Sequence, residues 1–482
     1  MSTFSVLDAA RESASGLALI IGGRELPWGE LAERIRARLD ELAPLRTGLG
    51  GELVAFRAGE SLATLELIYA LLELRQPFLP LHARLTAEER EKLLVQLPVG
   101  TVVEASQDGS WRLQSRTPAV LEPQQQAWFQ RAPQLAAIAT SGSTGAPNVV
   151  LLSRHAFLSS AQASAANLDW QPMDRWLLSL PLAHIGGLSV VTRCLLARRP
   201  VVLGAEPRAD ESPSQRLART IEQGQPSLLS LVPTQLSSLL QLEPRLELPA
   251  RVRAILTGGA AASPSLLGAC VERRWPVLTS YGLTEACSQV ATQRPGTIHQ
   301  GERGAGRPLP GVEVRIGAAG ALQLRGPTML SGYLIGPNDA VDAEGWFHTG
   351  DLGRLDADGQ LHVLGRADHV IITGGENVAP GEVEAALEAC PGVLEACVFP
   401  VPDAHWGQLV AAGLRAGTAD PEALLQGIQA QLEQRLAAFK LPRRYALARS
   451  FVYGSTGKLD RLATARALLD ALRPVRRAVR HR

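Results

Sequence analysis

The sequence predicts an α/β protein with a large N-terminal domain of parallel α/β layers, a small β-barrel-like subdomain and a separate α+β domain at the end. Three observations predict it. Between about residues 50 and 300, short apolar runs alternate with amphipathic segments, the pattern of parallel layers. After about residue 310 the texture becomes strand against strand, as in "VEVRIGAAGALQLRG" and "GRLDADGQLHVLGR", with "DADG" as a hairpin turn. After "GRADHV" helix and strand mix again, so residues 369–482 read as a domain of their own. A chain of 482 residues is also too long for one ordinary core.

Each element has its reason. Leu53 to Phe56 reads as a strand, and Ser61 caps a helix whose apolar positions Leu62, Leu65, Ile68, Tyr69 and Leu72 fall at helical spacing. Further strands are expected at Leu135 to Ala139, Val201 to Leu203, Leu228 to Val232, Ala254 to Leu256 and Val277 to Thr279. Pro233 suits the first turn of a following helix. In the last domain a helix begins at Pro380, strands follow near Val393 to Val401 and Leu409 to Leu414, and "PEALLQGIQAQLEQRLAAF" reads as one helix. "TSGSTG", "TGGAAAS" and "SYGLTEACSQ" each follow a strand, so all three are expected at one sheet edge, where open parallel sheets bind ligands.

Composition narrows the partner. Apolar residues make up 46%, charged residues 20%, and the formal net charge is +1, which gives no reason to expect nucleic acid or stable membrane association. The N-terminus lacks a basic leader and an apolar core, so a cytoplasmic location is expected, and a homodimer is left open. Five scattered cysteines read as buried reduced thiols, with no zinc spacing. Of 48 basic residues only Lys92, Lys440 and Lys458 are lysine, so each lysine invites a reason.

"TSGSTGAPNVV" gathers Thr140, Ser141, Ser143 and Thr144 around Gly142 and Gly145. Glycines let backbone N–H groups approach an anion, and hydroxyls add neutral donors. Ordinary turns share this composition, so alone it is an even choice. Tyr281, Gly282, Leu283, Thr284 and Glu285 offer an aromatic face, a hydroxyl and a carboxylate suited to a base, a phosphate and magnesium; a turn with a solvated Glu is the plain alternative. Asp351 in "GWFHTGDLG" stands where a carboxylate could accept both hydroxyls of a ribose, or simply cap a turn.

Taken in order with "GRADHVIITGGENVAPGEVE" and "GSTGKLDR", these motifs resemble the adenylate-forming enzymes, the superfamily of acyl-CoA synthetases, luciferases and peptide-synthetase adenylation domains, over roughly residues 135 to 461. The resemblance implies an ATP-dependent acid-CoA ligase that forms AMP through an acyl-adenylate, with Mg2+ and coenzyme A and a small carboxylic acid as partner. It implies that Thr140 to Gly145 handle the outer phosphates, that Gly259, Ala260, Tyr281 and Gly282 surround adenine, and that Thr284 meets the α-phosphate. Glu285 would hold the metal, while Asp351 and Arg366 would hold the ribose. Gly375 would line the pantetheine path. Asp368 matches a hinge at residues 366–368, between an ATP- and acid-binding domain (1–365) and a mobile domain (369–482) carrying the catalytic Lys458.

A carboxylate attacking a phosphoryl group brings two anions together, so a compact cation aimed at the developing charge is where catalysis is gained. Lys458, in a chain that otherwise uses arginine, fits that need; Lys92 and Lys440 read as surface or packing residues. The sequence departs from the family at Asn148, where the loop usually carries lysine; Arg154 is a candidate to compensate.

The acid is sought in "SLPLAHIGGLSVVTRCLLARRPVVL". His184 is either an acyl-pocket wall or a core histidine. Arg193 is either an anion partner, with Ser288 beside it, or a solvated helix residue. This wording, with "YGLTEACSQV", resembles the branch of the superfamily that activates an aromatic acid bearing a second carboxylate on its ring. Rivals are another acyl- or aryl-CoA synthetase, an enzyme that loads a carrier protein, and a catalytically silent nucleotide sensor.

Overall fold

The computed structural model describes residues 3–47, 52–105, 110–141, 147–242, 245–297, 304–337, 339–403, 405–417, 421–454 and 459–474. Gly142 to Gly145 and Lys458 lie outside the described residues, as does the side chain of Ser141.

Two large sheets build the first part. In one, the strands Gln134–Ser141, Phe78–His82, Leu53–Ala58 and Val99–Ala105 run parallel, flanked by antiparallel Pro147–Ser153 and Gly332–Ile335 on one side and Trp111–Ser115 on the other. In the other, Val277–Leu283, Ala254–Thr257, Leu228–Leu231, Trp176–Leu177, Val201–Leu203 and Leu17–Ile21 run parallel between antiparallel edges. Their apolar runs are buried on both faces, as parallel strands covered by helices require. The Ser61 hydroxyl accepts from Thr64 N–H and opens the helix Leu62–Glu73, and Pro233 takes the first position of the helix Pro233–Leu240, as the sequence predicts.

The expected single ligand edge is corrected in two ways. "TSGSTG" is the tip of an antiparallel hairpin, with Thr140 opposite Asn148 and Ser141 opposite Pro147, rather than a strand-to-helix turn. "TGGAAAS" and "SYGLTEACSQ" belong to the other sheet, and the strand expected to stop at Thr279 continues to Leu283 before turning back at Ser288–Thr292. Alternation of small and polar residues hid that continuation. The two sheets are stitched by the strand Gly332–Ile335: Tyr333 pairs with Val150 of the hairpin, while Leu330 N–H donates to the carbonyl of Glu285 at 2.8 Å.

Glu313–Ile316, Ala321–Arg325, Phe347–Leu355 and Leu361–Arg366 form an antiparallel sheet of four, joined by the turn at "DADG". Residues 371–474 form a further sheet with the helices Pro380–Glu388, Pro421–Glu433 and Arg461–Leu468. Their core is their own: Ile371, Val383, Val398, Leu414, Ile428 and Tyr445 pack with one another. The helix expected over residues 421–439 ends at Glu433, and a 3-10 turn, Ala438–Lys440, follows. That turn presents the Lys440 ammonium to both oxygens of Glu382, at 2.6 and 2.7 Å, while Lys92 pairs with Glu88 on an exposed helix face. Both lysines have the surface and packing duties their setting suggested.

All five cysteines are buried and free. Among the described residues no helix is long and apolar enough to cross a membrane.

Candidate active site

Asp351 and Arg366 sit directly across from each other on neighbouring strands, so the backbone register places the pair. The Tyr281 phenol donates to Asp351 Oδ2 at 2.5 Å, and Arg366 Nη1 lies 3.5 Å from Oδ1 while donating to the Thr349 carbonyl at 3.0 Å. Burial pushes Asp351 above the ordinary aspartate range, with the Tyr281 hydroxyl and Arg366 pulling it back. Burial, then the Asp351 charge, pushes Tyr281 well above the ordinary phenol value, which keeps its proton in place for donation. Thr349 completes the group: its hydroxyl accepts from Asp351 N–H at 2.9 Å and donates to the Leu322 carbonyl at 2.8 Å. Gly350 permits this turn at φ +71°, where an added Cβ would stand 2.9 Å from the Arg366 guanidinium.

The same guanidinium continues to Asp368, with Nε 3.2 Å from Oδ1 and Nη2 3.3 Å from Oδ2. One arginine thus touches both the ribose candidate and the hinge candidate. Gly375 turns at φ +84° in an exposed hairpin with nothing within 4 Å of a would-be Cβ, open enough for a chain to pass its backbone.

Gly258 and Ser280 lie so close that a Cβ on the glycine would meet the Ser280 carbonyl at 2.8 Å, which brings the start of the turn after Thr257 against the strand that carries Tyr281 and Gly282. Thr284 and Glu285 begin a 3-10 turn that ends in two residues of positive φ, Cys287 (53°) and Ser288 (94°). Non-glycine residues in that region are uncommon, and such strain gathers at functional turns. Glu285 Oε1 accepts from the Tyr333 phenol at 2.8 Å, the one donor to this carboxylate among the described residues. A carboxylate so oriented fits Mg2+, which takes one or two protein oxygens and leaves the rest to phosphate and water.

His184 is half-buried immediately before the helix Ile185–Ala197, its ring 5.3 Å from that of His82. Burial and nearby Arg84 hold His82 below the ordinary histidine value. Arg193, on the same helix, is only 4% exposed, which rules out the solvated alternative. It donates through Nη2 to Ser160 Oγ at 3.3 Å and lies 5.7 Å from the Trp176 ring centre, its Nε enclosed without an acceptor among the described residues. Burial pushes it down to about 10, and among the described residues no carboxylate pairs with it. A buried cation in that state lacks the anion that would offset its desolvation.

Arg154 is placed away from the shoulder of the hairpin whose loop is expected to hold phosphate. It follows Ser153 at the far end of the seven-residue strand from Pro147, roughly 20 Å along an extended chain. There its N–H bonds to Pro133 and its side chain to Leu72. It therefore does not compensate for Asn148, because an antiparallel hairpin carries sequence neighbours away from the tip.

Tyr333, Thr349, His82 and Ser160 were not foreseen. Tyr333, His82 and Ser160 each meet a partner distant in sequence, whereas Thr349 stands two residues from Asp351 inside "GWFHTGDLG", where its hydroxyl could have been read as a partner of the Asp351 backbone.

The AMP-binding enzyme family matches residues 7–334, and its C-terminal domain matches residues 382–458. A 2-succinylbenzoate–CoA ligase of Listeria monocytogenes (serotype 4b, strain F2365) is 33% identical over 468 residues, covering 94% of this chain and 96% of its own. The o-succinylbenzoate CoA synthetase of Bacillus subtilis, solved with the acyl-adenylate intermediate, is 27% identical with a TM-score of 0.78, covering 99% of both chains. The same enzyme solved with ATP and magnesium gives 27% and 0.78, covering 96% and 99%.

Proposed function

The chain belongs to the AMP-binding enzyme family, and we propose that it is an AMP-forming acid–CoA ligase that activates 2-succinylbenzoate, a step of menaquinone biosynthesis. The similarity runs over both domains, and it supports ATP, Mg2+ and coenzyme A as the partners of the reaction. The observation that carries the choice of acid is Arg193, a buried guanidinium that no carboxylate among the described residues pairs with. An acid with two carboxylates brings one to be activated and a second to meet that cation, with His184 and Ser288 as walls.

In the first step an oxygen of the succinyl carboxylate forms a bond to the α-phosphorus, and pyrophosphate leaves with the bonding pair. In the second the CoA thiolate attacks the acyl carbon, and AMP leaves. Asp351, held by Tyr281 and Arg366, accepts the ribose hydroxyls; Thr284 donates to the α-phosphate; Gly259, Ala260, Tyr281 and Gly282 enclose adenine. Glu285 would hold Mg2+, whose charge offsets that of the phosphate oxygens. The loop Thr140–Gly145 receives the outer phosphates, and Lys458 meets the developing charge at the α-phosphorus. Residues 1–365 form the ATP- and acid-binding domain. Residues 369–482 swing about Asp368 to bring first Lys458 and then the Gly375 turn to the site. The reaction is placed in the cytoplasm, where ATP and CoA are held.

A panel of acids tests this reading. The enzyme releases pyrophosphate, not phosphate, from ATP only with an acid present, forms thioester only with free CoA, and prefers 2-succinylbenzoate. Preference for a monocarboxylate would remove Arg193 from its role. Transfer to a carrier protein in place of CoA would change the acceptor, and nucleotide binding without pyrophosphate release would mark a sensor.

A further inference from the structure

Ser160 lies in the helix Arg154–Leu168 and is buried. Its hydroxyl donates to the Cys287 carbonyl at 2.6 Å and accepts from Arg193 Nη2 at 3.3 Å. A hydroxyl has one hydrogen, and here the carbonyl takes it, which leaves a lone pair directed at the guanidinium. Cys287 belongs to the positive-φ turn that closes the Thr284–Glu285 segment, and Arg193 belongs to the neighbouring helix. One buried oxygen therefore ties the cation to the backbone of the nucleotide-side turn. The guanidinium is a rigid plane of five donors, so fixing Nη2 sets the direction of the others, including an Nε that is enclosed with no acceptor among the described residues.

We infer that Ser160 is a positioning residue for the acid: it aims the Arg193 guanidinium at the ring carboxylate and fixes its distance from the turn that carries Thr284 and Ser288. The inference rests on the reading of Arg193 as the partner of that carboxylate. Ser160 acts through the Arg193 guanidinium, so its effect falls on recognition of the acid that Arg193 meets. A serine that only braced the two helices would affect every substrate alike.

The test compares 2-succinylbenzoate with 4-oxo-4-phenylbutanoate, which lacks the ring carboxylate, in the full-length enzyme and in Ser160→Ala, Ser160→Thr and Arg193→Gln. Ser160→Ala raises KM for 2-succinylbenzoate about ten-fold, the scale of one lost hydrogen bond to a charged group. Its kcat and its KM for ATP stay within about two-fold, as removal of a ground-state contact requires. KM for 4-oxo-4-phenylbutanoate does not move, and Ser160→Thr, which keeps the hydroxyl, restores most of the loss. Equal losses on both acids, or a loss carried by kcat or by KM for ATP, would overturn the inference. If Arg193→Gln separates the two acids and Ser160→Ala does not, the inference alone fails. If Arg193→Gln treats both acids alike, the reading beneath it fails. Should Ser160→Ala not fold, Ser160→Cys carries the same comparison, since it keeps a side chain of similar size and weakens both the acceptor that faces Arg193 and the donor that faces Cys287.

Discussion

The Tyr281 phenol and the Asp351 carboxylate share a hydrogen bond of 2.5 Å across two sheets, and the same carboxylate faces Arg366. Burial raises Asp351, and in its proposed role toward ribose the ionised form is the one that accepts the hydroxyls. ATP binding therefore weakens on acidification at a higher pH than an ordinary aspartate would set. Tyr281→Phe removes a group that favours the ionised form. It raises KM for ATP about ten-fold on the alkaline plateau and moves the acid limb to higher pH. Folding has the opposite sign: a raised carboxyl stabilises the fold below its unfolded value, and that contribution is lost as pH rises through its folded value. Acid thus weakens ATP binding without weakening the fold through Asp351, which parallel KM and melting profiles against pH would check.

Tyr333 orients Glu285 from the opposite sheet. Tyr333→Phe leaves the carboxylate free to rotate, so half-maximal activity needs several-fold more Mg2+ while KM for the acid holds. A magnesium titration reads this, and an unchanged midpoint would free Glu285 of the assigned role.

Gly350 combines positive φ with a close approach to Arg366. Gly350→Ala costs roughly 1–2 kcal/mol of backbone strain and displaces the guanidinium from Asp351. A lower melting temperature together with a KM for ATP raised about ten-fold is expected, because 1.4 kcal/mol is one decade. Loss of stability without the KM effect would separate Arg366 from ribose binding.

Asn148 stands opposite Thr140 at the shoulder of the hairpin proposed to receive the outer phosphates. Asn148→Lys adds a cation there, which lowers KM for ATP and leaves the reaction unchanged. A collapse in turnover would show that the asparagine has a different duty.

The layered fold and the separate last domain were legible because each depends on local pattern: alternation, capping by Ser61, and glycines at turns. The sequence could not show that "SYGLTE" stays in a strand, because hydrogen bonding to Ser288–Thr292 overrides its loop-like composition. Nor could it show the end of the helix at Glu433, where apolar spacing continues through Leu436 although the backbone has turned. Arg154 misled because closeness in sequence was read as closeness in space. Ser160 and Tyr333 were hidden for the converse reason, since their partners lie 127 and 48 residues away.

In the proposed mechanism acid activation and thiol transfer are separate steps, and Lys458 serves only the first. Lys458→Ala, assayed for pyrophosphate release and then for thioester formation from supplied acyl-adenylate, tests it most directly. The expected result is a fall of several orders of magnitude in the first rate with the second within a few-fold of the unmodified enzyme. Equal loss in both rates would contradict it.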